Sequence, residues 1–170
     1  MGSVTTALCN SFKHELLLGI HDFEGDAFKI ALIKASPTDS YGANTHNYEV
    51  ISYDNDGGTS FGASTALKPT SGGNNDEYSG TGYSAGGKPL TGGAVVVTNN
   101  TAHVDFSNVE WTGATIDADG ALIYNSDNKD SKTGRAVCVI GFASTQSSDN
   151  GTFSISFPTA GESTSIIRIA

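Results

Sequence analysis

Two short apolar runs constrain the fold of this chain more than any other feature. Residues 121–124 read ALIY, residues 136–140 read AVCVI, and the strongly polar tract 125–135 separates them. Each run is rich in β-forming residues and is bounded by Gly or by Asn, Asp and Ser. Continuous apolar runs are typical of strands that are covered on both faces. The two runs therefore predict an antiparallel hairpin at the centre of a buried sheet.

The composition favours a single β-rich domain over residues 1–170. A chain of 170 residues is long enough to bury roughly 70% of the surface that its unfolded form exposes. Only 16% of the residues are charged and 21 are Gly, which is typical of short strands joined by turns of small residues. Further strands are predicted at 28–34, 48–53, 94–98, 101–106, 153–157 and 166–169, with a reversal at Asn99 and Asn100. The predicted fold class is mainly β: an antiparallel β-sandwich or jelly-roll-like domain with one N-terminal α-helix.

The N-terminal helix is predicted over residues 5–18. Thr5 or Thr6 can cap it and Gly19 can end it. Leu8, Phe12 and Leu16 fall on one side. This apolar side must cover another element, and the sheet is the available partner.

Residues 54–76 are predicted to form a loop excursion from the domain. The doublets Gly57-Gly58 and Gly72-Gly73 bracket a segment that contains Phe61 and Leu67. One interpretation is an extended segment that orders against a partner. The alternative is a mobile loop without a role, and the pattern does not separate the two.

Charge and cysteine usage argue against several classes of protein. The formal net charge is -9 and the basic residues are scattered singly, so we expect no nucleic acid partner. No apolar run of 18 residues and no signal peptide occur, so we expect no membrane association and synthesis in a host cytoplasm. Cys9 and Cys138 are predicted to be buried free thiols.

The sequence contains no pattern that selects catalytic or cofactor chemistry. No HExxH, G-x-S-x-G or Walker motif occurs, and His14 and His21 near the helix end are predicted to be a solvated pair. The acidic segments 54–57, 117–120 and 127–130 resemble calcium loops only superficially and are interpreted as turns. We therefore expect no catalytic residues, no cofactor and no metal.

Several segments carry a resemblance to a known family. Residues 8–17 (LCNSFKHELL), 19–23 and 28–32 resemble the start of a family of small virion structural proteins of tailed bacteriophages. The resemblance continues through 77–83, 85–87, 120–125, 151–153 and 166–170, whereas 54–75 looks like an insertion. It implies a non-enzymatic part of the particle, a cement or decoration protein on the capsid surface. A tail, fibre or spike component is the alternative within the same family.

The expected partners are the major capsid protein and further copies of the chain itself, with a homotrimer as the first expectation. The N-terminal segment is the first candidate for the contact and the loop excursion is the second. The candidate partner-binding residues are Leu8, Phe12, Leu16, Phe61 and Leu67.

The sequence leaves two other classes of function open. A carbohydrate-binding jelly roll could stack sugars on aromatic rings and hold calcium in an acidic loop. The aromatic candidates are Tyr41, Tyr48, Tyr53, Tyr78, Tyr83 and Trp111. A glycan or peptidoglycan hydrolase is the third class, although no pair of carboxylates is singled out for it.

Overall fold

The computed structural model describes residues 1–49, 65–70, 73–129 and 132–170. Within these ranges the chain forms one helix and ten strands, which confirms the predicted fold class. The elements are β1 (Ala7–Leu8), α1 (Asn10–Leu17), β2 (Phe28–Lys34), β3 (Thr45–Asn47), β4 (Thr65–Ala66), β5 (Lys88–Pro89), β6 (Val95–Thr98), β7 (Thr101–Val104), β8 (Val109–Asn125), β9 (Arg135–Ile155) and β10 (Ile167–Ile169).

The strands form two sheets that share one core. The larger sheet has the order β4-β3-β9-β8-β2-β5, with β1 also paired to β9. The smaller sheet has the order β10-β7-β6. Neighbouring strands are antiparallel except β3 and β4, which are parallel. Core residues from both sheets join one hydrophobic cluster, so the arrangement is sandwich-like.

The predicted central hairpin is present and is longer than expected. β8 pairs with β9 from Val109↔Ile155 to Asn125↔Arg135, and residues 121–123 are fully buried. A separate strand was expected at 153–157, but residues 153–155 belong to this hairpin. Gly113 and Asn150 have positive φ and lie near its register shifts. Residues that are typical of turns are therefore accommodated as irregularities within paired strands.

The predicted start of the helix is wrong, and its predicted end is confirmed. Ala7 and Leu8 pair with β9 and Cys9 is the N-cap, so α1 begins at Asn10. The backbone before Cys9 is held in the sheet and cannot also turn into helix. At the other end Gly19, with φ of 69°, follows the C-cap residue.

Most of the predicted loop excursion lies outside the described residues, but its C-terminal part packs on the domain. The structure does not describe residues 50–64, which include Phe61, or residues 71–72. Most of the predicted strand 48–53 lies in the first of these gaps. The described Thr65–Ala66 pairs with β3, and Leu67 is fully buried. This part of the segment therefore belongs to the core and is not an excursion.

Asp76 fixes the end of that segment to the domain. Its carboxylate accepts hydrogen bonds from the Asp39 N–H (2.8 Å) and the Tyr41 hydroxyl (2.9 Å), and it lies 2.8 Å from Lys34 Nζ. Burial would raise the pKa of this carboxyl, but these donors outweigh it and lower the pKa to about 2.

Candidate interaction surface

Exposed apolar side chains are concentrated on one part of the described surface. Among the described residues, seven large hydrophobic side chains are exposed, and Met1 is one of them. The other six belong to the end of α1 and to the smaller sheet: Leu17, Leu18, Val95, Val96, Val97 and Ile169. Single exposed hydrophobic residues are ordinary, whereas a contiguous group marks an interaction site.

The strand register places six apolar side chains on one side of the smaller sheet. Val95 is opposite Val104, which is opposite Ile167, and Val97 is opposite Ala102, which is opposite Ile169. Because alternate residues of a strand point to the same side, both rows share one side, which we call the apolar face. The Val104 and Ile167 side chains are buried, whereas Val97 is 70% exposed and Ile169 is 54% exposed. The apolar face is thus covered at one end and open at the other.

A cleft of about 240 Å³ separates the apolar face from the end of α1. Leu16, His21 and Phe23 line one side of it, and residues of β6, β7 and β10 line the other. Leu17, 88% exposed, follows Leu16 directly. The helix end and the apolar face therefore form one continuous candidate surface.

A buried charge network holds the end of α1 in place. Glu15 Oε1 lies 2.5 Å from Arg135 Nη1, and Glu15 Oε2 lies 2.9 Å from His21 Nε2. All three side chains are nearly inaccessible to solvent. Burial lowers the pKa of Arg135, and the Glu15 charge opposes that shift. Since Glu15 precedes Leu16 and Leu17, the network sets the position of the cleft wall.

The network continues to the end of the central hairpin. Arg135 Nη2 donates to the Lys129 carbonyl oxygen (2.8 Å), and Lys129 Nζ lies 2.5 Å from Asp26 Oδ1. Asn125 Nδ2 donates to the other oxygen of Asp26 (2.7 Å). The loop between α1 and β2 is thereby fixed to the turn that joins β8 and β9. His21 was expected to be solvated and is instead part of this buried network.

The structure places the four described partner-binding candidates in different environments. Leu16 lines the cleft, and Leu8 lines a separate apolar groove of about 310 Å³ beside Ile155 and Phe157. Phe12 and Leu67 are buried in the core, so their side chains do not reach the surface of the isolated chain. They were predicted from helical periodicity and from loop position, and neither signal distinguishes a core contact from a surface contact. Phe61 lies outside the described residues.

The aromatic side chains that could have stacked on sugars are engaged inside the protein. Trp111 is 1% exposed and lies between Tyr83 and Phe153, each with its ring centroid 6.0 Å away. Tyr48 stacks on Tyr124 at 4.7 Å. Tyr41 is buried as well, Tyr78 and Tyr83 pack edge to face, and Tyr53 is not described. These rings do not form an exposed platform in the described part of the chain.

The carboxylates of the described acidic segments accept hydrogen bonds from residues that are distant in sequence. Asp119 accepts from the Ser36 N–H and the Thr145 hydroxyl, and Asp117 accepts from the Ser147 hydroxyl. Asp127 accepts from the Ala27 N–H. Among the described residues, no group of three or more His, Cys, Asp or Glu side chains is arranged to hold a metal ion. Residues 54–57 and Asp130 are not among the described residues.

Comparison of the chain with protein-family models, curated proteins and solved structures finds no match in any of the three. In the ranges that the structure describes, no helix is long and apolar enough to cross a membrane.

Sequence reasoning identified the strand at 94–98 but missed its exposure. A run of three valines without polar alternation indicates a strand that is covered on both faces. β6 is instead exposed at all four residues. The sequence does contain one indication of this surface. Residues 90–102 include no charged residue, although the chain has a net charge of -9.

Proposed function

We propose that this chain is a non-enzymatic structural protein of a tailed-bacteriophage virion, a cement or decoration protein that binds the outside of the capsid. The proposal combines the resemblance of residues 8–17 and the later segments to that family with one structural observation. That observation is the concentration of exposed apolar side chains at the end of α1 and on the apolar face. A contiguous exposed apolar surface of this kind is typical of a protein–protein interface.

The exposed side chains can supply useful binding energy. Fully burying a leucine or valine contributes about 1.5–3 kcal/mol, and Leu17 and Val97 are both largely exposed. Ordering and desolvation consume much of this energy, so a single copy is expected to bind weakly. A capsid repeats the same site many times, and a chain that contacts several sites at once gains effective affinity. Stabilisation of the head follows from such repeated contacts.

The first experiment is to locate the chain in purified particles of the phage that encodes it, by cryo-electron microscopy. We expect a regular array of copies over the capsid lattice, with the end of α1 or the apolar face against the major capsid protein. Copies confined to the tail would reassign the chain to a tail, fibre or spike component. Absence from the particle would refute the virion proposal.

A binding assay tests whether the proposed surface makes the contact. Particles that lack the chain are mixed with purified protein, and bound protein is measured after sedimentation. Leu17→Lys should weaken binding at least tenfold, since it removes about 1.5–3 kcal/mol of apolar burial and adds a charge. Thr152→Lys, an exposed substitution on β9, is the matched control and should bind normally. Equal binding by both variants would exclude the end of α1 from the contact.

A further inference from the structure

β6 carries no charge, Pro or bulge that would oppose pairing with a further strand. Among the described strands, β6 lies at one edge of the smaller sheet and β10 at the other, with β7 between them. All four of its residues are exposed, and it pairs with β7 in regular register without a bulge. Exposed edges in soluble proteins normally carry charges, Pro or bulges that prevent pairing. Val95–Thr98 contains none of these.

The hairpin geometry determines which backbone groups of β6 are free to pair. β6 and β7 are joined by the two-residue turn Asn99-Asn100, in which Asn99 has φ of 52°. A two-residue turn is closed by a hydrogen-bonded pair, here Thr98 with Thr101. Hydrogen-bonded and non-hydrogen-bonded pairs alternate along an antiparallel ladder. Val96 therefore bonds to β7, and the N–H and C=O groups of Val95 and Val97 point to the open edge.

We propose that β6 pairs antiparallel with β6 of a second copy of this chain, about a two-fold axis that passes beside Val96. In this register Val95 of each copy exchanges two hydrogen bonds with Val97 of the other. The two Val96 residues face each other as a non-hydrogen-bonded pair. Four backbone hydrogen bonds then join two three-stranded sheets into one of six strands.

The edge fits a second copy because it is complementary to itself. The two residues with outward backbone groups are symmetric about Val96, so a two-fold axis satisfies all four groups at once. The pairing also aligns the apolar faces, since Val95 and Val97 of each copy lie on the same side of the joined sheet. Two chains of net charge -9 repel each other in general. The uncharged stretch 90–102 means that the paired strands themselves bring no charged side chains together.

The proposed dimer leaves the cleft beside α1 open, because the new contact is made in the plane of the sheet. Two apolar faces would then lie side by side and present a doubled surface. This inference concerns the isolated chain and does not depend on the capsid proposal. It replaces the trimer that was expected from the sequence with a two-fold dimer.

The mass of the purified chain in solution, measured by light scattering after size exclusion, is the first test. We expect about 35 kDa, twice the 17.5 kDa of one chain. Val96→Lys places two like charges side by side on the axis and should raise the dissociation constant at least 100-fold, with an unchanged circular dichroism spectrum. Thr152→Lys is the charge-matched control and should remain dimeric. A monomer or trimer for the unmodified chain, or an intact dimer for Val96→Lys, would overturn the proposal.

Cysteine substitution tests the register. Non-hydrogen-bonded antiparallel partners have Cα atoms about 4.5 Å apart, within disulfide range, so V96C should cross-link to itself on mild oxidation. In V97C the two substituted positions are offset along the strands by two residues and lie about 8 Å apart, beyond that range. We expect a covalent dimer with V96C and little or none with V97C. Equal cross-linking of both, or the reverse order, would refute this register.

Discussion

Arg135→Met is expected to be one of the most destabilising single substitutions in the described part of the chain. Arg135 is 1% exposed and pairs with Glu15 at 2.5 Å. Methionine preserves much of the buried volume but leaves the Glu15 charge without its guanidinium partner. Removing one member of a buried ion pair costs about 3–5 kcal/mol. Loss of the hydrogen bond to the Lys129 carbonyl falls within that total.

The prediction is tested by urea unfolding of four proteins, with the free energy of unfolding obtained by linear extrapolation. These are the unmodified chain, Arg135→Met, Glu15→Gln and the double variant. Once Glu15 is neutral, removal of the arginine leaves no unpaired charge. The double variant should therefore be more stable than the sum of the single effects predicts, by about 1–3 kcal/mol.

Arg168→Met is the matched control for the loss of an arginine. Arg168 lies on β10 and is exposed, so its replacement should change the free energy of unfolding by less than about 0.5 kcal/mol. If Arg135→Met lowers the free energy of unfolding no more than Arg168→Met does, the buried network does not stabilise the fold. Additive single effects would show that Glu15 and Arg135 are not energetically coupled.

Three further predictions concern Asp76, the two cysteines and Gly87. Asp76→Asn should lower the free energy of unfolding by about 2 kcal/mol at neutral pH and by much less near pH 2. The pKa of the carboxyl is about 2 in the folded chain and about 3.9 in the unfolded chain. Its ionised form therefore stabilises the fold above pH 4, and this stability is lost as the pH falls through 2. Cys9 and Cys138 should resist a thiol reagent at pH 8 and react after unfolding, because burial raises the pKa of Cys9 and raises that of Cys138 to about 12. Gly87→Ala should lower the free energy of unfolding by at least about 2 kcal/mol. The φ angle of Gly87 is 70°, and a Cβ at this position would lie 1.8 Å from the Ile30 carbonyl oxygen.

Asp149→Asn, at an exposed aspartate, should leave the acid unfolding curve unchanged, and an equal effect of the two substitutions would remove the special role of Asp76. Rapid labelling of the folded chain would show that the cysteines are accessible. Gly151→Ala, where a Cβ meets only ordinary contacts, should be nearly neutral. Equal stability of Gly87→Ala and Gly151→Ala would exclude the predicted clash.

The strands that were predicted best are those with strong local signals. The hairpin of β6 and β7 has an Asn-Asn reversal between two β-forming runs, and the buried part of β8 and β9 has two continuous apolar runs. The start of α1 was missed because residues 7–8 fit a helical pattern but pair with β9. Tertiary hydrogen bonds decided that point, and helix propensity is too weak to oppose them.

The candidate surface was predicted only in part for a similar reason. Leu16 lines the cleft, whereas Phe12, on the same helical stripe, is buried. Periodicity shows which side of a helix is apolar, but it does not show how far the covering sheet extends. The exposure of Val97 arises because no further strand in the described ranges lies beside β6.

The sequence by itself determined that this chain would be mainly β, with one N-terminal helix, a central apolar hairpin and two buried thiols. These properties depend on local composition and on periodicity along one segment at a time. Only the tertiary structure decided that Glu15, His21 and Arg135 share a buried network and that β6 is an open edge. Both depend on which distant segments come together, because the environment of a side chain is set by its neighbours in space.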